Sequence, residues 1–173
     1  MINQQRRYLI DSNSIITPYK TFYPFDLAEK FWIGLAEKIR SGEIILLDLV
    51  SEEIRKGDDN LTTWINDFDS SLMLSRNNQN IISTYSQVMS YIQKSDLYNE
   101  KALRHWSDAN VADPWLIATG KVYEHIIVTF ENPNGNLSSY QPTKNPKIPD
   151  VSAVFNVECC NLYNMMRDLR MIL

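Results

Sequence analysis

The sequence is poor in glycine, cysteine and histidine, and each shortage removes a class of chemistry. The five glycines, Gly34, Gly42, Gly57, Gly120 and Gly135, stand apart from one another. No glycine-rich loop can therefore cradle a phosphate, and the P-loop and dinucleotide-binding fingerprints are absent. The two cysteines, Cys159 and Cys160, are adjacent, and sequence neighbours rarely pair, which excludes a disulfide scaffold. They read as a buried pair of free thiols on a strand. His105 and His125 are the only histidines, too few to suggest a structural zinc site, and both read as structural or surface residues. There is no Gly-x-Ser-x-Gly elbow and no His-Glu-x-x-His helix, so two common hydrolase designs are missing. No apolar run approaches the roughly 20 residues that span a bilayer. The opening Met1-Ile-Asn-Gln-Gln-Arg-Arg7 leads into a short apolar run ended by Asp11, which does not read as a signal peptide. The expected protein is soluble and cytoplasmic, with no membrane partner.

What is present is ordinary for a globular chain: 173 residues, 44% apolar and 22% charged. That is enough for one core, and residues 1–173 read as one domain. With 17 Lys and Arg against 21 Asp and Glu, the net charge is −4. Such a chain does not coat nucleic acid by bulk electrostatics. It can still be a nuclease, because metal-binding carboxylates lower the net charge while nearby lysines and arginines hold phosphates. Any catalysis must come from carboxylates or from a less usual arrangement.

The hydrophobic pattern alternates strands with helices. Arg7-Tyr-Leu-Ile-Asp11 predicts a buried strand, broken by Thr17-Pro-Tyr19. Leu27, Phe31, Leu35 and Ile39 recur every four residues and predict a helix, with Asp26 and Glu29 as a capping box and Gly42 as its terminator. Glu43 to Asp48 predicts a second strand, and Ser51 to Gly57 a short helix capped by Ser51. Trp64, Ile65, Phe68 and Leu72 suggest a helix within 58–75. Ile81, Ile82, Tyr85, Val88, Met89 and Ile92 predict an amphipathic helix, followed by another over about 99–106. Asp113-Pro114 reads as an N-cap and first helical residue. Ile126 to Thr129 predicts a third strand, 132–147 a long loop, 150–155 a short helix, 157–162 a last strand and 163–172 a closing helix. Trp106 and Trp115 read as packing residues. The fold class expected is α/β, a three-layer sandwich with a short parallel sheet between helices. An all-α insert, about 58–110, separates the second and third strands.

In a parallel sheet every strand ends at one edge, where ligands bind. Asp11 ends the first strand, Glu52 and Glu53 lie on the helix after the second, and Glu131 follows the third. Topology alone leaves the place of Asp113 open. Acids gathered at one point repel and have raised pKa values unless a cation neutralises them; Mg²⁺ or Mn²⁺ suits carboxylate and water oxygens. Arg55, Lys56, Lys144 and Lys147 lie on the helix and loop nearest that edge and are candidates for holding phosphates.

The ordered strings Tyr8-Leu-Ile-Asp-Ser-Asn13, Ser51-Glu-Glu-Ile-Arg-Lys-Gly57, Asp113-Pro-Trp-Leu-Ile-Ala-Thr-Gly120 and Ile127-Val-Thr-Phe-Glu131 resemble the PIN domain, in its VapC-like bacterial branch, over nearly the whole chain. More narrowly, Ala112-Asp-Pro-Trp-Leu-Ile-Ala118 and Lys147-Ile-Pro-Asp-Val151 resemble an uncharacterised PIN-like family with a fuller helical insert. The resemblance implies a Mg²⁺- or Mn²⁺-dependent endoribonuclease that leaves a 3′-hydroxyl and a 5′-phosphate. It implies Asp11 as first metal ligand with Asn13 beside it, then Glu53, Asp113 and Glu131 as the other catalytic and metal-binding acids. Many PIN domains have Asp or Asn where this chain has Glu131, and Asp150 competes for that role. The toxin of a toxin–antitoxin pair, a proteinaceous antitoxin and a homodimer are implied as well. Two rival expectations remain. One is a catalytically inactive PIN-fold module that binds RNA or protein. The other is a phosphohydrolase of the haloacid-dehalogenase type, which would want Asp where Asn13 stands.

Overall fold

Three apolar segments, each too short for a helix, form the centre of a parallel sheet. In the computed structural model, which describes residues 6–173, they are β1 (Tyr8–Ile10), β2 (Ile44–Leu47) and β4 (Ile126–Val128). Residues 1–5, on which the reading of the N-terminus as no signal peptide rests, lie outside the described residues. Leu9 pairs with Ile45 on one side and Ile127 on the other, and Leu9, Ile10, Leu46, Leu47, Ile127 and Val128 are all fully buried. Burial on both faces explains why these strands read as continuous apolar runs rather than alternating ones. Two shorter strands, β3 (Met73–Leu74) and β5 (Cys159–Cys160), form the edges, and the order is β3-β2-β1-β4-β5 with every pairing parallel. Helices flank the sheet, so the fold is an α/β three-layer sandwich, as the pattern predicts.

Local elements differ from the sequence reading where a nearby polar group takes over a helix end. A helix that the pattern does not predict, α1 (Asn13–Lys20), follows β1 and runs through Pro18, where only a break after the strand is expected. The Pro18 carbonyl then gathers the N–H groups of Thr21, Phe22 and Tyr23, which closes the helix. The predicted capping box at Asp26 and Glu29 does not form. Leu27 and Ala28 turn back onto the Pro24 carbonyl, and α2 (Glu29–Arg40) starts after Ala28, which gives it no side-chain cap. Leu27 is 81% exposed, whereas Phe31, Leu35 and Ile39 are buried as expected. Gly42 ends the helix at φ 75°, the left-handed conformation that a glycine adopts without steric cost.

The helix after β2 begins at Asp48, three residues before the predicted Ser51 cap. In α3 (Asp48–Arg55) the Asp48 carboxylate accepts from the Leu49 N–H at 2.7 Å, and Ser51 Oγ donates inward to the Asp48 carbonyl at 2.8 Å. Beyond Gly57, α4 (Asn60–Asn66) stops early, a 3₁₀ turn spans Ser70–Leu72, and β3 follows. The insert is therefore not all-α: it is mainly helical but adds an edge strand to the sheet beside β2. It continues with α5 (Gln79–Lys94) and α6 (Glu100–Trp106), capped by Asn78 and Asn99. Next comes α7 (Asp113–Tyr123), in which Asp113 is the first helical residue and Ala112 takes the cap position predicted for Asp113. The remaining helices are α8 (Ile148–Val154) and α9 (Leu162–Asp168), the latter capped by Asn161. Trp106 is fully buried and Trp115 stacks on Tyr85 with ring centroids 3.9 Å apart, so both are packing residues. The two cysteines are half-buried free thiols rather than a fully buried pair, because β5 is an edge.

Among the described residues no helix is long and apolar enough to cross a membrane. One packing contact fixes how α7 lies on the sheet. A Cβ at Gly120 would meet Val157 Cγ1 at 2.9 Å, with the His125 carbonyl and Ile127 Cγ1 at 3.3 Å. Alanine would gain about 1 kcal/mol of helix propensity there but incur about 1–3 kcal/mol of overpacking. Because one neighbour is a backbone carbonyl that cannot swing aside, Gly120→Ala is expected to lower stability in urea unfolding. An unchanged midpoint would show that α7 can shift on the sheet.

Candidate active site

The carboxyl ends of β1, β2 and β4 bring the predicted acids to one edge. Asp11 extends β1 by one ladder bond, its N–H donating to the Val128 carbonyl at 3.0 Å. Its side chain is 2% exposed and accepts from Thr129 Oγ1 at 3.3 Å. Ser12 Oγ lies 3.3 Å from the Asp11 carboxylate and 2.7 Å from Glu53 Oε2. One hydroxyl proton cannot serve both acids, and the shorter contact assigns it to Glu53. Asp11 is left with Thr129 and the Asn13 N–H, too little to offset its burial. Burial pushes its carboxyl up to about 6, and the charges of Glu53 and Glu131 push the same way.

Asp113 reaches the same cluster from the N-terminus of α7. Its carboxyl has no hydrogen-bond or ion-pair partner among the described residues. Burial comes first among the causes that raise it to about 7, followed by the charges of Asp11, Glu131 and Glu53. Two carboxyls with pKa values near neutrality, each raised by the other acids, mark the cluster as electrostatically frustrated without a cation. Glu131 follows Thr129, whose hydroxyl accepts from the Glu131 N–H at 3.1 Å. The Glu131 carboxylate holds Lys147 Nζ at 2.8 Å with one oxygen and the Ile148 N–H at 2.8 Å with the other. Lys147 is thus the cation inside the cluster, and Asp113 feels its charge as well.

The other predicted residues are spread around this centre. Glu52, the neighbour of Glu53, turns away to Arg76, which also binds Asp48 at 3.0 Å. Asp150 lies near Lys147, but both its oxygens accept from the Asn134 N–H, closing the long loop. The Asn13 side chain is exposed and its backbone N–H serves Asp11. Arg55 binds Asn66 and Ser51, Lys56 binds Asn110 at 3.0 Å, and Lys144 is exposed on the long loop. His105 is on the surface, and His125 is half-buried against Tyr123. Ser12 and Thr129, which tie the acids together, are not singled out by the sequence reading. Their signal is adjacency alone: each sits one or two places from an acid within the Asp11-Ser-Asn13 and Thr129-Phe-Glu131 strings.

Among the described residues no three carboxylates, imidazoles or thiols are drawn close enough to ligate one ion directly. Ser12, Thr129 and Lys147 each occupy a carboxylate oxygen of the cluster. An all-oxygen donor set of this kind still suits Mg²⁺, which binds through one or two carboxylates and keeps several waters. The chain belongs to the family described as a domain of unknown function (DUF4411), whose match covers residues 8–173. It matches no curated protein and no solved structure.

Proposed function

We propose that the protein is a PIN-like, Mg²⁺- or Mn²⁺-dependent endoribonuclease. The observation that carries this reading is the convergence of Asp11, Glu53, Asp113 and Glu131 at the carboxyl edge of a parallel sheet, with Asp11 and Asp113 raised to about 6 and 7 by burial and by the other acids. The all-parallel order β3-β2-β1-β4-β5 is compatible with a PIN-like fold.

A bound divalent cation would supply an acidified water and neutralise charge on the phosphate and the leaving oxygen. Asp11 and Asp113 would hold that cation, Asp11 from a rigid strand end and Asp113 from the first turn of α7. Glu53, which accepts the Ser12 hydroxyl, would keep one oxygen available to the cation or its water. Glu131 positions Lys147, whose ammonium would hold a non-bridging phosphate oxygen. The products would be a 3′-hydroxyl and a 5′-phosphate. The role of toxin, a proteinaceous antitoxin covering the cluster, a homodimer and a cytoplasmic location extend the same resemblance.

The Glu131–Lys147 pair also favours a second reading, an inactive module on this fold that binds RNA or protein. In that reading lysine permanently replaces the cation. Calorimetric titration with Mn²⁺ and cleavage of a mixed RNA pool separate the two. The nuclease should bind Mn²⁺ and cut RNA with Mg²⁺ or Mn²⁺ but not with EDTA. A protein that neither binds Mn²⁺ nor cuts is the inactive module.

A further inference from the structure

Beside the carboxylates, a pocket of about 460 Å³ opens between the ends of β4 and β5, within the roughly 300–1,000 Å³ range of small-molecule sites. Its lining includes Thr129 and Glu131, the residues that tether Asp11 and Lys147, together with Asn132, Asn161 and Asn164. Asn161 Oδ1 caps α9 by accepting from the Asn164 N–H at 2.9 Å, and Asn164 Oδ1 accepts from Arg167 at 3.3 Å. Both carbonyls are therefore engaged, while neither NH₂ group has a partner among the described residues.

An aromatic cluster adjoins the pocket through one of its lining residues. Phe130 lines it, and the rings of Phe22, Phe130 and Tyr163 lie 6.2–6.3 Å apart centre to centre. Phe22 and Tyr163 are 40% and 38% exposed, so part of each ring is open to a stacking partner. Two unpartnered amide donors among the lining residues, an aromatic ring in the wall with two more beside it, and a lysine held by the lining Glu131 together match one nucleotide. The aromatic cluster stacks the base, the NH₂ groups meet its carbonyl oxygens, and Lys147 meets its phosphate.

We propose that this pocket takes one unpaired, carbonyl-bearing nucleobase next to the scissile phosphate and reads it through Asn161 and Asn164; the proposal rests on the nuclease reading for what happens to that phosphate. The base must leave any helix to enter, so the pocket excludes paired RNA.

The test is anisotropy of 5′-fluorescein-labelled octauridine, with Ca²⁺ in place of Mg²⁺ to withhold cleavage, beside a labelled blunt RNA duplex. Tyr163→Ala removes an exposed ring. Asn161→Asp keeps the helix cap, since Asp caps as well as Asn, but replaces the amide donor by a charge. Each is expected to weaken octauridine binding on the order of 10-fold, the scale of one lost base stack. Duplex binding should be weaker and unchanged by either substitution. Wild-type affinity for octauridine in both variants would overturn the pocket, even if the protein cuts RNA. Loss of binding in the variants of a protein that cuts nothing would instead uphold the pocket and remove the nuclease reading.

Discussion

Asp11→Asn is expected to lower metal-dependent RNA cleavage by about 10²–10³-fold, the scale for losing one preorganised electrostatic group. The substitution is nearly isosteric, and the side chain is 2% exposed at the end of a central strand. Its carbonyl can keep the Thr129 hydroxyl, so the main change is one negative charge. That charge is the most rigidly held in the cluster: the Asp11 N–H is fixed to Val128 and the side chain to Thr129. Glu52→Gln is the control. It removes a carboxylate one residue from Glu53, but one that faces Arg76, and it should cut RNA at close to the wild-type rate. Initial rates at saturating Mg²⁺ and Mn²⁺ titration would measure both variants. Equal rates in wild type and Asp11→Asn would place the chemistry elsewhere.

Asp113→Asn should make the metal-free protein more stable at pH 8 while reducing its cleavage. An aspartate is ionised above about 4 in an unfolded chain, whereas folding raises Asp113 to about 7. Between these values the folded state binds more protons than the unfolded one, so stability falls as pH rises through that window. Above about pH 7 the whole penalty is present, because a half-buried anion then faces Asp11, Glu131 and Glu53. Asp11, raised to about 6, adds the same sign of dependence between about pH 4 and pH 6. Asparagine at 113 removes its part of the penalty and breaks no hydrogen bond. After allowance for solvent at this half-buried site, the gain is on the order of 2 kcal/mol. That corresponds to a Tm rise of about 4–8 °C in a chain of this size. Thermal melts in EDTA at pH 5 and pH 8 would show a gap between the two proteins that opens with pH. Mg²⁺ should narrow it, since a cation bound only to the folded wild type stabilises that state by mass action. A variant less stable than wild type at pH 8 would mean that the Lys147 charge outweighs the burial and the neighbouring acids at Asp113.

The difference between Glu52 and Glu53 illustrates what sequence patterns leave undecided. Both occupy one short helix, and both suit its first turns electrostatically. String resemblance favours Glu53, but the choice rests physically on the register of α3. Because Asp48 starts that helix three residues before Ser51, Glu53 faces Ser12 and Glu52 faces Arg76. Lys147 shows the same limit. The sequence places it on the loop nearest the acid edge as a candidate for holding phosphate, but only folding pairs it with Glu131, 16 residues away in sequence.

The central strands, the parallel sheet, the buried face of α2 and the glycine that ends it were determined by the sequence alone. Runs such as Ile44–Leu47 cannot face water on either side, and periods of four residues demand a helix with one buried stripe. The acids themselves were also legible, since Asp11, Asp113 and Glu131 sit where strands end or a helix begins. Tertiary structure decided the helix starts at Glu29 and Asp48, the added strand Met73–Leu74, the two hydroxyls that bridge the acids and the lysine that joins them. Each of these depends on which polar group happens to lie within hydrogen-bond reach. Local periodicity encodes burial, which is a property of one segment; a hydrogen bond between distant residues belongs to two, and it exists only once the sheet has set them side by side.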